Sequence, residues 1–177
     1  MRWLSIDPAD KTGIVLWDGD KPDWFGTLLP MGKREATKAG FDHERALALP
    51  RAGGLKPSGY ASTLDAWRWL LGDVGAVVCE ESFGENAKTV AQMGERRGYI
   101  QAVCETKLVP FFTVNTMVWR KVCGDRLDKS WPPASKAAKQ RSIDLVREHC
   151  DGLVVTGDEG DAYWVGRAAM WLGLVSP

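Results

Sequence analysis

The sequence holds 177 residues, 45% of them hydrophobic and 26% charged, with 23 Lys or Arg balancing 23 Asp or Glu. This is an ordinary globular composition, at a length suited to one domain (residues 1–177) with a sizeable core. It excludes low-complexity and fibrous classes, and no stretch approaches the ~20 apolar residues that cross a bilayer as a helix.

Three strands are expected first, over residues 2–7, Gly13–Asp18 and Trp24–Leu29. Asp18-Gly19-Asp20 between the second and third suits a hairpin turn, because Gly tolerates positive φ. Residues 31–58 are rich in Gly, Pro and charge and read as an irregular excursion, with a short helix near His43–Leu49. A connection of that length is either mobile or functional. Ser62–Leu71 has Leu64, Trp67, Leu70 and Leu71 at helical spacing, with Ser62 as cap. An apolar strand, Ala76-Val77-Val78-Cys79-Glu80, follows. Then come a helix over Ala87–Glu105, a strand at Val109–Val114 and helices at Thr116–Cys123 and Ser135–Cys150, the last two separated by Trp131-Pro132-Pro133. A final helix runs from Asp158 to Leu172. An opening meander followed by alternating strands and helices indicates an α/β fold with a mixed sheet flanked by helices.

Four acidic residues stand at element ends. Asp7 closes the first strand, Glu80 closes the fourth, and Asp158 and Asp161 open the last helix. Three residues apart, Asp158 and Asp161 share one helix face. Two carboxylates held ~4 Å apart repel by ~4 kcal/mol at an effective dielectric of about 20, so a cluster of them calls for protons or a divalent cation. The pattern points to Mg²⁺-dependent phosphodiester cleavage. Charge distribution agrees. Residues 117–147 hold eight Lys or Arg against three Asp, a surplus of +5, and residues 148–177 hold one Arg against five acids, or −4. A basic belt beside an acidic pocket suits a polyanion held near metal ions. Cys79, Cys104, Cys123 and Cys150 lie far apart with no CxxC pair, which argues for buried or idle thiols in a reducing cytoplasm. No basic-then-apolar leader opens the chain, which fits the same location.

Taken in order, these motifs resemble the RuvC family of Holliday-junction resolvases, within the RNase H-like superfamily, and its phage-type members especially. Leu4-Ser5-Ile6-Asp7-Pro8 resembles the opening strand with its first catalytic Asp, although Ala9 stands where the family usually has Gly. Val78-Cys79-Glu80-Glu81-Ser82-Phe83 resembles the second motif. Glu80 and Glu81 compete there, and Glu80 is preferred because it lies three residues before Phe83. Ala91-Gln92-Met93-Gly94-Glu95-Arg96-Arg97-Gly98 resembles the helix that follows. Lys139 resembles the basic residue before the final motif, and Gly157-Asp158-Glu159-Gly160-Asp161-Ala162 resembles that motif itself.

The resemblance implies an RNase H-like five-stranded mixed sheet and a junction-resolving endonuclease. Asp7, Glu80, Asp158 and Asp161 would hold two Mg²⁺ ions about 4 Å apart, with Mn²⁺ able to substitute. Lys139 would offset charge on the phosphate or position the water. Arg120, Lys121, Lys136 and Arg141 would hold DNA phosphates without reading sequence, and Arg96 and Arg97 are within reach of the same role. Phe83 is either a core aromatic or a wedge that stacks on unpaired bases. Gly94 and Gly98 leave one helix face bare, either for packing on the sheet or for a C₂ homodimer that presents two sites to a four-way junction. Asp158 has a plainer reading as a helix N-cap. Trp67, Trp164 and Trp171 fall at positions suited to burial, and neither His43 nor His149 shows a partner pattern. Cleavage of flaps, branches or RNA–DNA hybrids, and a non-catalytic binding module, are the alternatives.

Overall fold

The structure is a computed structural model that describes residues 1–9, 12–28, 70–81, 87–123, 136–151 and 155–176. Five strands form one sheet: β1 (Arg2–Asp7), β2 (Thr12–Asp18), β3 (Lys21–Leu28), β4 (Val77–Glu81) and β5 (Phe111–Asn115). Among the described residues four helices accompany them: α1 (Ala87–Thr106), α2 (Thr116–Val122), α3 (Lys136–His149) and α4 (Gly157–Trp171). The strand order is β3-β2-β1-β4-β5. β2 is antiparallel to both β1 and β3, whereas β4 runs parallel to both β1 and β5. The mixed sheet read from the sequence is therefore present, and β1 and β4 are neighbours. β1 has the expected limits throughout, and the other element limits fall within three residues of expectation. The irregular segment 31–58, the helix near His43–Leu49, most of the Ser62–Leu71 helix and the Trp131-Pro132-Pro133 break lie outside the described residues.

Alternation along the strands divides the core in two. Trp3, Val15, Trp17, Phe25, Val78 and Val114 face α2, α3 and α4. Leu4, Ile6, Ile14, Leu28, Val77 and Cys79 face Ile100, Val103 and Cys104 of α1. Gly19 turns the β2–β3 hairpin at φ 59°, a conformation that favours Gly, and its carbonyl accepts the Trp3 indole N–H at 2.9 Å. Trp3 stacks on Trp17 with centroids 5.1 Å apart, and Trp17 on Tyr163 at 5.3 Å.

The last helix, α4, is the apolar centre of its layer. Ala162, Tyr163, Trp164, Val165, Ala168 and Ala169 are buried, and it packs on β1 and β2 with α2 and α3 alongside. Trp171 corrects an expectation. It is 69% exposed because it sits in the final turn, immediately before the helix cap at Leu172. No helix among the described residues is long and apolar enough to cross a membrane.

Candidate active site

β1 and β4 deliver the first two carboxylates to one end of the sheet. Their parallel register pairs Leu4 with Val77, Ser5 with Val78 and Ile6 with Cys79, so the next step along both strands sets Asp7 beside Glu80. Alternation puts both on the α4 face and turns Glu81 to the α1 face, where its carboxylate lies 3.9 Å from Arg97. Asp7 and Glu80 are nearly closed off from solvent, at 3% and 6% exposure. Glu80 Oε1 accepts two hydrogen bonds from α2: one from Thr116 Oγ1 at 2.7 Å and one from the Trp119 indole N–H at 2.9 Å.

On the other side of β1, the antiparallel register pairs Asp7 with Gly13. A Cβ on Gly13 would collide with the carbonyl of Asp158, so the bare backbone is what allows the first turn of α4 to lie directly on β2. That approach brings Asp158 and Asp161 into the electrostatic field of Asp7. The helix start is fixed by a capping box. Thr156 Oγ1 accepts the Glu159 N–H at 3.2 Å, and Glu159 Oε2 accepts the Thr156 N–H at 2.8 Å. Glu159 Oε1 also takes the Thr27 hydroxyl at 3.1 Å, pinning the helix to β3. The N-cap is thus Thr156, and the plainer reading of Asp158 as the cap fails. The Asp158 carboxylate instead accepts from Lys139 Nζ at 2.9 Å, and the same ammonium lies 3.5 Å from Asp161. Lys139 reaches across from α3 with its stem laid over Gly157, where a Cβ would collide with its Cε.

Among the described residues the site is short of positive charge. Burial, then Glu80, Asp161 and Asp158, hold the Asp7 carboxyl well above the usual carboxylate range. Asp161 is pushed up to about 7, chiefly by burial; Lys139 opposes this and Glu80 and Asp158 add to it. Burial alone would lower the pKa of the Lys139 ammonium, but Asp161 and Asp158 outweigh it and raise it above its ordinary value. All four acidic side chains offer only carboxylate oxygen, the donor that hard divalent cations prefer. Among the described residues no three His, Cys, Asp or Glu close on a single ion position. The cation between Asp158 and Asp161 is the Lys139 ammonium. Donor chemistry and unbalanced charge together fit Mg²⁺ or Mn²⁺.

The remaining expected residues are more dispersed. Arg96 donates to the Pro8 carbonyl at 3.4 Å, bracing the turn after Asp7, while Arg97 faces Glu81. Arg120 lies over the Trp119 ring, 5.5 Å from its centroid. Lys121 is exposed. Arg141, also exposed, is 3.9 Å from Glu148. Lys136 opens α3, but its side chain and all of Phe83 lie outside the described residues. A Cβ at Gly94 or Gly98 meets nothing within 4 Å, so among the described residues these glycines do not serve packing on the sheet. His149 does have a partner, its Nδ1 lying 3.3 Å from the Tyr163 hydroxyl. All four cysteines are free thiols.

Sequence reasoning missed Thr116, Trp119, Gly13, Gly157 and Glu159. Only Glu159 carried a readable local signal, the Thr156-Gly157-Asp158-Glu159 capping pattern.

No protein-family model and no curated protein matches the sequence. Solved structures do. Thermus thermophilus RuvC in complex with a Holliday junction substrate superposes with a TM-score of 0.61 at 12% identity, over 100% of this chain and 99% of that one. A structure of Thermus thermophilus RuvC gives a TM-score of 0.56 at 16% identity, with the same coverage. With its five strands in this order and direction, the chain has the RuvC-like form of the RNase H-like fold.

Proposed function

We propose that this chain is a Mg²⁺-dependent endonuclease, a single nuclease domain that resolves four-way or otherwise branched DNA junctions in the cytoplasm, as phage-type resolvases do. The observation that carries the reading is the gathering of Asp7, Glu80, Asp158 and Asp161, with Lys139, at one end of a RuvC-like sheet. A neighbour of this fold is recorded with a Holliday junction substrate, and the surplus of Lys and Arg over residues 117–147 suits such a polyanion.

Asp7, Glu80, Asp158 and Asp161 would hold the metal, with Mn²⁺ as a substitute for Mg²⁺. When bound, the metal lowers the pKa of an attacking water and stabilises charge on the leaving oxygen. The protein's own contributions are separable. Burial and the neighbouring carboxylates raise both Asp7 and Asp161, Asp161 to about 7, which favours their protonated forms until positive charge arrives. The α4 capping box holds Asp158 and Asp161 against β2. Lys139, drawn to Asp158 and Asp161, supplies a positive charge for the phosphate. Arg120, Lys121, Lys136 and Arg141 contact the DNA backbone, Arg96 and Arg97 flank it, and Phe83 stacks on unpaired bases. A second copy docking on the bare Gly94 and Gly98 face gives a C₂ dimer with two sites.

The test is a labelled synthetic four-way junction beside linear duplex, flaps and RNA–DNA hybrids, with Mg²⁺ or chelator. Metal-dependent paired cuts confined to the junction are expected. Cutting of another substrate alone reassigns the specificity, and binding without cutting under any divalent ion refutes the enzyme.

A further inference from the structure

We propose that Thr116 and Trp119 are positioning residues that hold Glu80 as a one-oxygen donor and thereby set the preference of the site for Mg²⁺ over Ca²⁺. The inference rests on the reading of Glu80 as a metal ligand. Glu80 Oε1 receives both the Thr116 hydroxyl at 2.7 Å and the Trp119 indole N–H at 2.9 Å. A carboxylate oxygen has about two lone-pair sites, so these two donors fill it. The Thr116 hydroxyl also lies 3.3 Å from the Glu81 carbonyl, a longer contact that competes weakly for its single proton. The other oxygen of the Glu80 carboxylate stays outside this pair of bonds, with Asp7 beside it on β1.

The arrangement follows from local sequence. Asn115 caps α2, its Oδ1 accepting the Met117 N–H at 2.8 Å, which places Thr116 in the first turn. Trp119 comes three residues later on the same helix face. Trp119 is 5% exposed, and a buried indole N–H, which can only donate, needs an acceptor. The Arg120 guanidinium lies over its ring, a cation–π contact that helps hold the indole in place. Two donors on one rigid helical turn fix the Glu80 carboxylate plane as well as its position.

The consequence concerns ion choice. Ca²⁺ accepts bidentate carboxylates in loose six- to eight-fold shells, whereas Mg²⁺ demands near-octahedral geometry with single-oxygen donors and several waters. Tying down Oε1 denies Ca²⁺ a second oxygen from Glu80. Removing the donors frees the carboxylate to rotate, which weakens Mg²⁺ and favours Ca²⁺.

Mg²⁺ and Ca²⁺ are titrated separately into DNA-free protein by calorimetry, with the side-chain indole ¹H–¹⁵N signals followed in parallel and the Trp119 signal identified by its loss in Trp119→Phe. Glu80→Gln should move that signal without metal, and in the wild type Mg²⁺ should move it with the calorimetric midpoint. Thr116→Val should raise the Mg²⁺ midpoint about 10-fold, within the range typical for partners behind a ligand, and shift the Mg²⁺/Ca²⁺ ratio toward Ca²⁺. Thr116→Ser should restore both. If Trp119→Phe unfolds, Thr116→Val, which swaps a hydroxyl for a methyl at a half-buried position, still decides. Wild-type binding with unchanged midpoints and ratio in folded Thr116→Val overturns the inference alone. No saturable binding of either ion by the wild type overturns the metal reading and the inference with it.

Discussion

Replacing Asp161 with Asn should stabilise the metal-free protein, and by more as the pH rises. In the folded chain Asp161 is pushed up from 3.8 to about 7, so between those values the native state holds a proton that the unfolded state has released. Stability from this group is full below the unfolded value and is lost as pH climbs through 7. At about 1.4 kcal/mol per pK unit, the ceiling is roughly 4 kcal/mol; relaxation of a site whose Asp161 side chain is 19% exposed should leave about half of it. Asn imitates the protonated acid, and Lys139 keeps Asp158 as its partner. The assay is thermal unfolding of wild type and Asp161→Asn in chelator from pH 5 to 8.5. At pH 5 the gap should be about a third of its full size, and at pH 8 the variant should melt about 4–8 °C higher. Added Mg²⁺ should close the gap by raising the wild type alone. A constant difference across the pH range, or a variant less stable at pH 8, would refute the electrostatic account.

Other consequences are equally direct. Gly13→Ala forces the first turn of α4 off β2; unfolding should register an over-packing cost of about 1–3 kcal/mol, with loss of metal-dependent cutting. Reversing Lys136 and Arg141 to Glu should weaken binding to every DNA sequence alike and flatten its salt dependence in a filter or anisotropy titration. Gly94→Leu meets nothing among the described residues of one copy and should leave the melting temperature unchanged, yet shift a dimer toward monomer in sedimentation. Leu108, 91% exposed at φ 56° where α1 ends, sits in a conformation that costs a non-Gly residue about 1 kcal/mol, so Leu108→Gly should raise the melting temperature by about 2–4 °C.

The acidic cluster was legible because each member sits at an element end, and element ends can be read from local pattern. Apolar runs located Asp7 and Glu80, and helical spacing put Asp158 and Asp161 on one face. The choice of Glu80 over Glu81 as the neighbour of Asp7 rested on distance to Phe83; the strand register adds a physical reason, since one step along β4 reverses the face. What stayed hidden depends on approach between distant elements. Nothing near Gly13 announces that a helix start 145 residues later will rest on it. The bond from Trp119 to Glu80 exists only once α2 is laid beside β4. Trp171 misled for the converse reason: helical spacing predicts a face, but not where along the helix the sheet beneath it ends.

The order of those elements also has a consequence for synthesis. β1 is made first, and the helix that completes its layer, α4, begins 150 residues after Asp7. At roughly 5–20 residues per second on a ribosome, Asp7 waits about 8–30 s for Asp158 and Asp161. During that interval the Trp3 and Trp17 face of the sheet lacks its cover, and a nascent chain is open to chaperones on that side. The carboxylates cannot meet until α4 has been made. The same topology that makes folding late therefore keeps the acidic site from assembling in an unfinished chain.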